Sequence, residues 1–137
     1  MVIPLANGFE VRLAGYDVML CEVDYAFTLE LRSEVRQVAI RIGGHFVYSR
    51  SGATWHLDPD AHPEELGPAL LLSRTRVVSA AVDLDGALEL TFEDGSQIRV
   101  PPDINYEAWS LTTTNGPLIV SGPGGKITYF DAPEGAL

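Results

Sequence analysis

The sequence predicts a mainly β domain, a β-rich α+β chain built on an antiparallel meander of about ten short strands. The strands should form a rolled sheet, an open barrel or a sandwich, with one short helix near residues 63–73. Three observations predict this. Apolar and polar residues alternate over most of the chain. Two turns of the form x-Asp-Gly, at Leu84-Asp85-Gly86 and Glu93-Asp94-Gly95, agree on one register. The connections between strands are too short for the crossovers that parallel pairing needs, so the sheet should be antiparallel.

The register is fixed by parity, because cross-strand partners share a face. Leu88, Leu90 and Phe92 form one apolar set, and Ile98 and Val100 form the next. A two-residue turn at Asp94-Gly95 would put them on opposite faces. A three-residue turn over Glu93, Asp94 and Gly95 pairs Leu90 with Ile98 and Leu88 with Val100, with glycine in the left-handed position. A loop over Leu84, Asp85 and Gly86 likewise pairs Val82 with Leu88 and Ala80 with Leu90. The stretch Val77–Trp109 therefore reads as three strands, a Pro101-Pro102 stop, and a fourth strand beginning at Tyr106.

In chain order, Phe9, Val11 and Leu13 read as a first strand. From Met19 the odd positions are apolar through Cys21, Val23, Tyr25, Phe27, Leu29 and Leu31. That pattern gives one long one-sided strand, or two strands joined at a bulge near Asp24. Val38, Ile40 and Ile42 form the next strand, and parity predicts that Gly43-Gly44-His45 closes a hairpin to Phe46 and Tyr48. Arg50-Ser51-Gly52 turns the chain toward Trp55 and Leu57. Asp58-Pro59-Asp60 is turn chemistry, and Pro63-Glu64-Glu65 fits the first turn of a helix. The helix should lay Leu66, Leu70, Leu71 and Leu72 on the sheet, and Gly67-Pro68 argues against a long one. Asn115-Gly116-Pro117 is a turn. Leu118–Val120 and Ile127–Phe130 form a last hairpin across Gly122-Pro123-Gly124-Gly125. The chain reads as a single domain over 1–137, with a frayed tail at 131–137.

At 137 residues and 46% hydrophobic content, the chain can build one core. No apolar run is long enough to span a membrane. Residues 1–5 lack the basic start and long apolar segment of a secretory signal. The single Cys21 cannot form an internal disulfide, so a reducing cytoplasm fits best. The formal charge is −10, and residues 58–137 hold thirteen acids against four bases. Such a surface disfavours nucleic acid and attracts basic partners.

Chemistry is sparse. Cys21 lies in an apolar pattern with no context to lower its pKa, and no Gly-x-Ser-x-Gly elbow is present. The best candidate metal ligands are His56, Asp58, Asp60 and His62, with Glu64 beyond them, but their spacing matches no zinc signature, and a solvated turn explains them. Asp83-Leu84-Asp85-Gly86 lacks the distal ligands of a calcium loop. Ser121–Lys126 is rich in glycine but lies between strands, without the helix N-terminus of a phosphate cradle. No cofactor is expected. Glu107 shares parity with Trp109 and Leu111, so it should point toward the apolar side and pair with Arg74, Arg76 or Arg99.

At Leu90-Thr91-Phe92, Asp94-Gly95, Val100-Pro101, Tyr106-Glu107-Ala108-Trp109 and Pro123-Gly124-Gly125, the chain resembles a family of small uncharacterised bacterial proteins, common in actinobacteria. The resemblance covers about residues 57–130 and carries no activity with it. It implies a small acidic intracellular protein of the kind that often looks like an immunity protein.

The sequence thus leads to a non-enzymatic protein-binding module of immunity type that meets a basic protein through an acidic face. Candidate contact residues are Trp55, Tyr106, Glu107, Trp109, Asp83, Asp85, Glu93 and Asp94. A small-ligand-binding β-barrel with Tyr48, Trp55 and Trp109 at its mouth is the alternative, and a carboxylate-dependent enzyme ranks last. Pairing of exposed strand edges into a dimer is open to such a sheet.

Overall fold

The structure, a computed structural model, describes residues 1–130. The tail expected at 131–137 lies outside the described residues. Among the described residues, thirteen strands form two antiparallel sheets. The larger has the order β1-β2-β8-β9-β10-β6-β7 and the smaller β13-β12-β11-β5-β4-β3. Their ranges are β1 Val2–Leu5, β2 Gly8–Val11, β3 Asp17–Val23, β4 Phe27–Arg32, β5 Gln37–Ile42, β6 Phe46–Arg50 and β7 Ala53–Leu57. The remainder are β8 Val77–Asp83, β9 Leu88–Phe92, β10 Gln97–Val100, β11 Trp109–Thr113, β12 Gly116–Ser121 and β13 Ile127–Tyr129. One continuous core lies between the sheets, and no barrel closes among the described residues.

The meander has the register that parity predicts. Leu90 pairs with Ile98, Leu88 with Val100, Val82 with Leu88 and Ala80 with Leu90. All of these side chains are at or below 1% exposure, so one dry face is kept. The last hairpin also holds, with Val120 opposite Thr128.

Five local expectations are corrected. The first strand is β1 at Val2–Leu5, ahead of the strand expected at Phe9–Leu13, and it contains Pro4. It is an edge strand, where a missing N–H costs no ladder bond. Met19 is the extra residue of a bulge, since Val18 pairs with Leu31 and Leu20 with Glu30. The bulge leaves both Met19 and Leu20 about half exposed, and Asp24-Tyr25-Ala26 is the turn of a β3–β4 hairpin. Gly43-Gly44-His45 does not close a hairpin. It carries the chain from β5 in one sheet to β6 in the other, and the Gly43 N–H donates to the Ala108 carbonyl. Same-face parity is equally satisfied when two strands face each other across a core, as the stacked rings of Phe27 and Phe46 at 5.4 Å show. Finally, β11 begins at Trp109 rather than Tyr106.

The helix is a 3-10 helix over Pro63–Arg74. Its buried residues are Leu66, Ala69 and Leu72, spaced by three, as side chains eclipse in this tighter helix. Leu70 and Leu71, expected on the sheet, are therefore turned outward. Pro68 in its middle would clash with an α-helical carbonyl four residues back. At about 2.0 Å per residue, twelve residues span roughly 24 Å, close to the length of seven-residue β3 at about 3.3 Å per residue. The helix packs along β3 and touches β7, closing the side of the sandwich where those two edge strands face each other. Among the described residues no helix is long and apolar enough to cross a membrane.

Candidate interaction surface

The connections sort to the two ends of the sandwich. One end gathers the turns at 5–8, 24–26, 43–45, 58–62, 84–86, 101–108 and 122–126; it is called the loop end here. The other gathers the turns at 12–16, 33–36, 51–52, 93–95 and 114–115, together with the C-terminus of the 3-10 helix.

Three turns at the loop end are built alike. In each, an aspartate side chain accepts backbone N–H groups and holds the turn. Asp24 accepts from Ala26, Asp83 from Asp85 and Ala87, and Asp103 from Asn105 and Tyr106. The residue after each aspartate is bulky and apolar, and it projects into solvent. Tyr25 is 79% exposed, Leu84 78% and Ile104 83%. Tyr106 in the same loop is 72% exposed. Of the described large apolar side chains more than 70% exposed, Val35 alone lies at the opposite end. Strand alternation placed Tyr25 on an apolar face, which its 79% exposure corrects, and neither it nor Leu84 nor Ile104 was expected as a contact residue. The available signal was an apolar residue inside an aspartate-capped turn, where strand alternation offers no face to bury it.

Backbone approach fixes these loops to one another. Trp109 is buried, and its indole N–H donates to the Gly86 carbonyl at 3.0 Å. Ser121 Oγ donates to the same oxygen at 3.2 Å. A Cβ on Gly86 would lie 2.3 Å from the Gly125 carbonyl oxygen, and one on Gly125 would lie 2.0 Å from that of Asp85. The Gly124 N–H donates to the Asp103 carbonyl at 2.7 Å. The glycines of Pro123-Gly124-Gly125 thus lock two of the projecting turns together, and their N–H groups are spent on protein carbonyls rather than left for a phosphate.

Charge at this end is acidic. Burial alone would raise the Asp83 carboxyl, but the N–H of Ala87, the Arg99 guanidinium at 3.2 Å and the N–H of Asp85 outweigh it and hold the group below its ordinary value. Asp24 is also held low, first by the Ala26 N–H and then by Arg41. Asp85, Asp103 and Glu107 have no ion pair among the described residues. Glu107 is exposed, not turned inward toward an arginine. Arg99 is taken by Glu89 and Asp83, and Arg76 by Asp17 and Glu93. The cause is the late start of β11, which leaves Glu107 in the loop, where parity does not hold.

The other expected contact residues are divided. Asp83, Asp85, Tyr106 and Glu107 share the loop end. Glu93 and Asp94 lie at the opposite end, so the acidic face expected as one is split by the length of β9 and β10. Trp109 is sealed in the core and cannot touch a partner. Trp55 is half-buried against Tyr48, with ring centroids 5.5 Å apart, and like Tyr48 it packs on the core rather than at a mouth.

The candidate metal ligands are also regrouped. His56 stacks on His45 at 5.6 Å, and Asp58 accepts the N–H groups of Asp60 and Ala61 as a turn residue. Among the described residues, His62, Glu64 and Glu65 form the one cluster with metal-ligand spacing, and all three are exposed. On the outer face of the smaller sheet, burial first and the neighbouring Glu22 second raise the Glu30 carboxyl. Cys21 is half-buried, and loss of hydration pushes its thiol up to about 11, leaving it protonated and a poor nucleophile.

No curated protein and no solved structure matches this chain. A family model does match, over residues 9–131, and with that span the chain belongs to the Family of unknown function (DUF6188).

Proposed function

We propose that the protein is a non-enzymatic protein-binding module whose loop end grips a basic protein, in the manner of an immunity protein covering a toxin. One observation carries this reading. Tyr25, Leu84 and Ile104 project from three aspartate-capped turns at one end, each 78% or more exposed. Isolated exposed apolar residues are ordinary, but a rigid group of them rimmed by unpaired acids has the make-up of a protein contact. The apolar tips supply buried area and the acids supply steering and choice of partner. A cytoplasmic site of action accompanies the proposal, consistent with one unpaired cysteine.

The test is affinity capture from the native host, beginning with the product of the adjacent gene. Wild type should retain a basic protein at low salt and lose much of it at high salt. The triple variant Tyr25→Ser, Leu84→Ser, Ile104→Ser should release it at any salt, since these residues are too exposed to matter for folding. Retention by the triple variant equal to wild type would sink the proposal. For the immunity form, co-expression should protect cells from that partner, and the triple variant should not.

A further inference from the structure

The outer face of the smaller sheet holds a hollow. Two rows of side chains cross that face over β3, β4, β5 and β11, as the register sets them. One row is Glu22, Thr28, Arg41 and Ser110, and the next is Leu20, Glu30, Ala39 and Thr112. Ala39 is the short member. Its cross-strand neighbours are Glu30 and Thr112, and its neighbours along β5 on the same face are Gln37 and Arg41. Four hydrogen-bonding side chains therefore stand around one methyl group. Two adjoining cavities of about 300 Å³ and 270 Å³ open over it and share Glu30, Ala39 and Thr112 in their linings.

Two observations mark the hollow as a place for a ligand. The first is Ser110. Among the described residues three serines are buried. Ser96 donates to Asp94 and Ser121 to the Gly86 carbonyl, whereas Ser110, 6% exposed and part of the lining, has no hydrogen-bond partner among the described residues. A buried hydroxyl without a partner is costly, and a polar ligand over it would remove that cost. The second is a pair of carboxyls. Glu22 and Glu30 lie diagonally on one face of β3 and β4. Burial raises the Glu30 carboxyl, and Glu22 raises it further. Asp24 and Arg41 at the same rim engage each other at 3.2 Å, so no cation in the lining is left for the pair. Arg32, next along β4 on this face, is exposed and outside both linings.

We infer that the hollow over Ala39 binds a small hydroxylated amine, of the amino-sugar class, with its ammonium between Glu22 and Glu30 and its hydroxyls on Ser110, Thr112 and Gln37. An ammonium between two carboxyls relieves their mutual repulsion and donates to both. The hydroxyls of Ser110 and Thr112 and the amide of Gln37 both donate and accept, so they match ligand hydroxyls in either sense. No aromatic ring lines the hollow, so the ligand is held by charge and hydrogen bonds rather than by stacking. The open setting keeps the affinity at about the millimolar level.

Heteronuclear NMR titration of the full-length chain tests this, with glucosamine, glucose, butylamine and calcium as the probes. Glucosamine should give saturable shifts centred on Glu30, Ala39, Ser110 and Thr112. Glucose lacks the ammonium and butylamine lacks the hydroxyls, so each should bind about tenfold more weakly or not at all. Ala39→Leu fills the hollow and Glu30→Gln takes away half of the carboxyl pair. Both lie on an outer face, so their spectra should keep the native dispersion, and each should weaken glucosamine by about tenfold or more. Ser110→Ala should weaken it as well. No saturable shift with glucosamine, or shifts as strong with glucose, would overturn the inference. Binding untouched by Ala39→Leu would overturn it too, as would calcium saturating the same residues more tightly than glucosamine. These outcomes leave the loop-end reading untouched, since that is read by capture of a protein.

Discussion

Replacing Gly125 by alanine tests whether the loop end is a single locked unit. Gly125 has φ +83 and its Cβ would sit 2.0 Å from the Asp85 carbonyl oxygen and 3.0 Å from Pro102 Cβ. Gly124 next to it has φ +75 with nothing within 4 Å of a Cβ. Both variants suffer the left-handed strain of a non-glycine residue, about 1–2 kcal/mol. Only Gly125→Ala must also push the Asp85-Gly86 turn away by about an ångström, since Cβ contacts under 3.0 Å essentially never occur. That displacement breaks the two hydrogen bonds that Gly86 accepts from Trp109 and Ser121. Leaving the buried indole N–H without a partner costs about 1–3 kcal/mol, and the hydroxyl bond adds roughly 1 kcal/mol. The totals are about 3–6 kcal/mol for Gly125→Ala and about 1–2 kcal/mol for Gly124→Ala. Urea unfolding followed by tryptophan fluorescence measures both, and at a slope of about 2 kcal/mol per molar the midpoints should separate by about 1 M or more. Equal losses for the two variants, within about 0.5 kcal/mol, would refute the reasoning. They would mean that strain in the turn, not contact between the loops, sets the cost.

The 3-10 helix makes a sharp pattern of losses. Leu66→Ala and Leu72→Ala should each cost about 2–4 kcal/mol, and Leu70→Ala and Leu71→Ala under about 0.5 kcal/mol, with denaturant midpoints as the check; an α-helical docking would make Leu70 costly. Ser51 holds φ 51 beside Gly52 in the two-residue β6–β7 turn, so Ser51→Gly should raise stability by about 0.5–1 kcal/mol, and a fall would show that the turn relaxes differently. Asp83 is held below 3.8 in the folded chain, so its contribution is present above that pH and is lost as pH falls through the folded value. Asp83→Asn should flatten the acid limb of the stability profile below about pH 4, and an unchanged limb would count against the Asp83–Arg99 pair. Glu30 is raised, so ionising it beside Glu22 costs stability as pH rises above 4.5. Glu22→Gln should therefore stabilise by a few tenths of a kcal/mol at pH 7 and by nothing below about pH 4.

The sequence by itself determined the pairings that follow from unbroken alternation across a recognised short turn. The register of β8, β9 and β10 follows from side-chain parity and two Asp-Gly turns, because a slip of one residue would expose a whole apolar face. Where a bulge or a loop interrupted the alternation, parity failed, as at Met19 and Glu107. Tertiary structure alone decided which sheet each strand joined. Ile42 and Phe46 share a face whether they pair in a hairpin or oppose each other across a core, and nothing local separates the two cases. It also decided the candidate surface. Tyr25, Leu84 and Ile104 are far apart in the chain, and only the closure of two sheets, pinned where Trp109 reaches Gly86 and Gly125 meets Asp85, puts them at one end. Parity is a property of one strand, whereas the sorting of turns to an end is a property of the order in which all the strands pack.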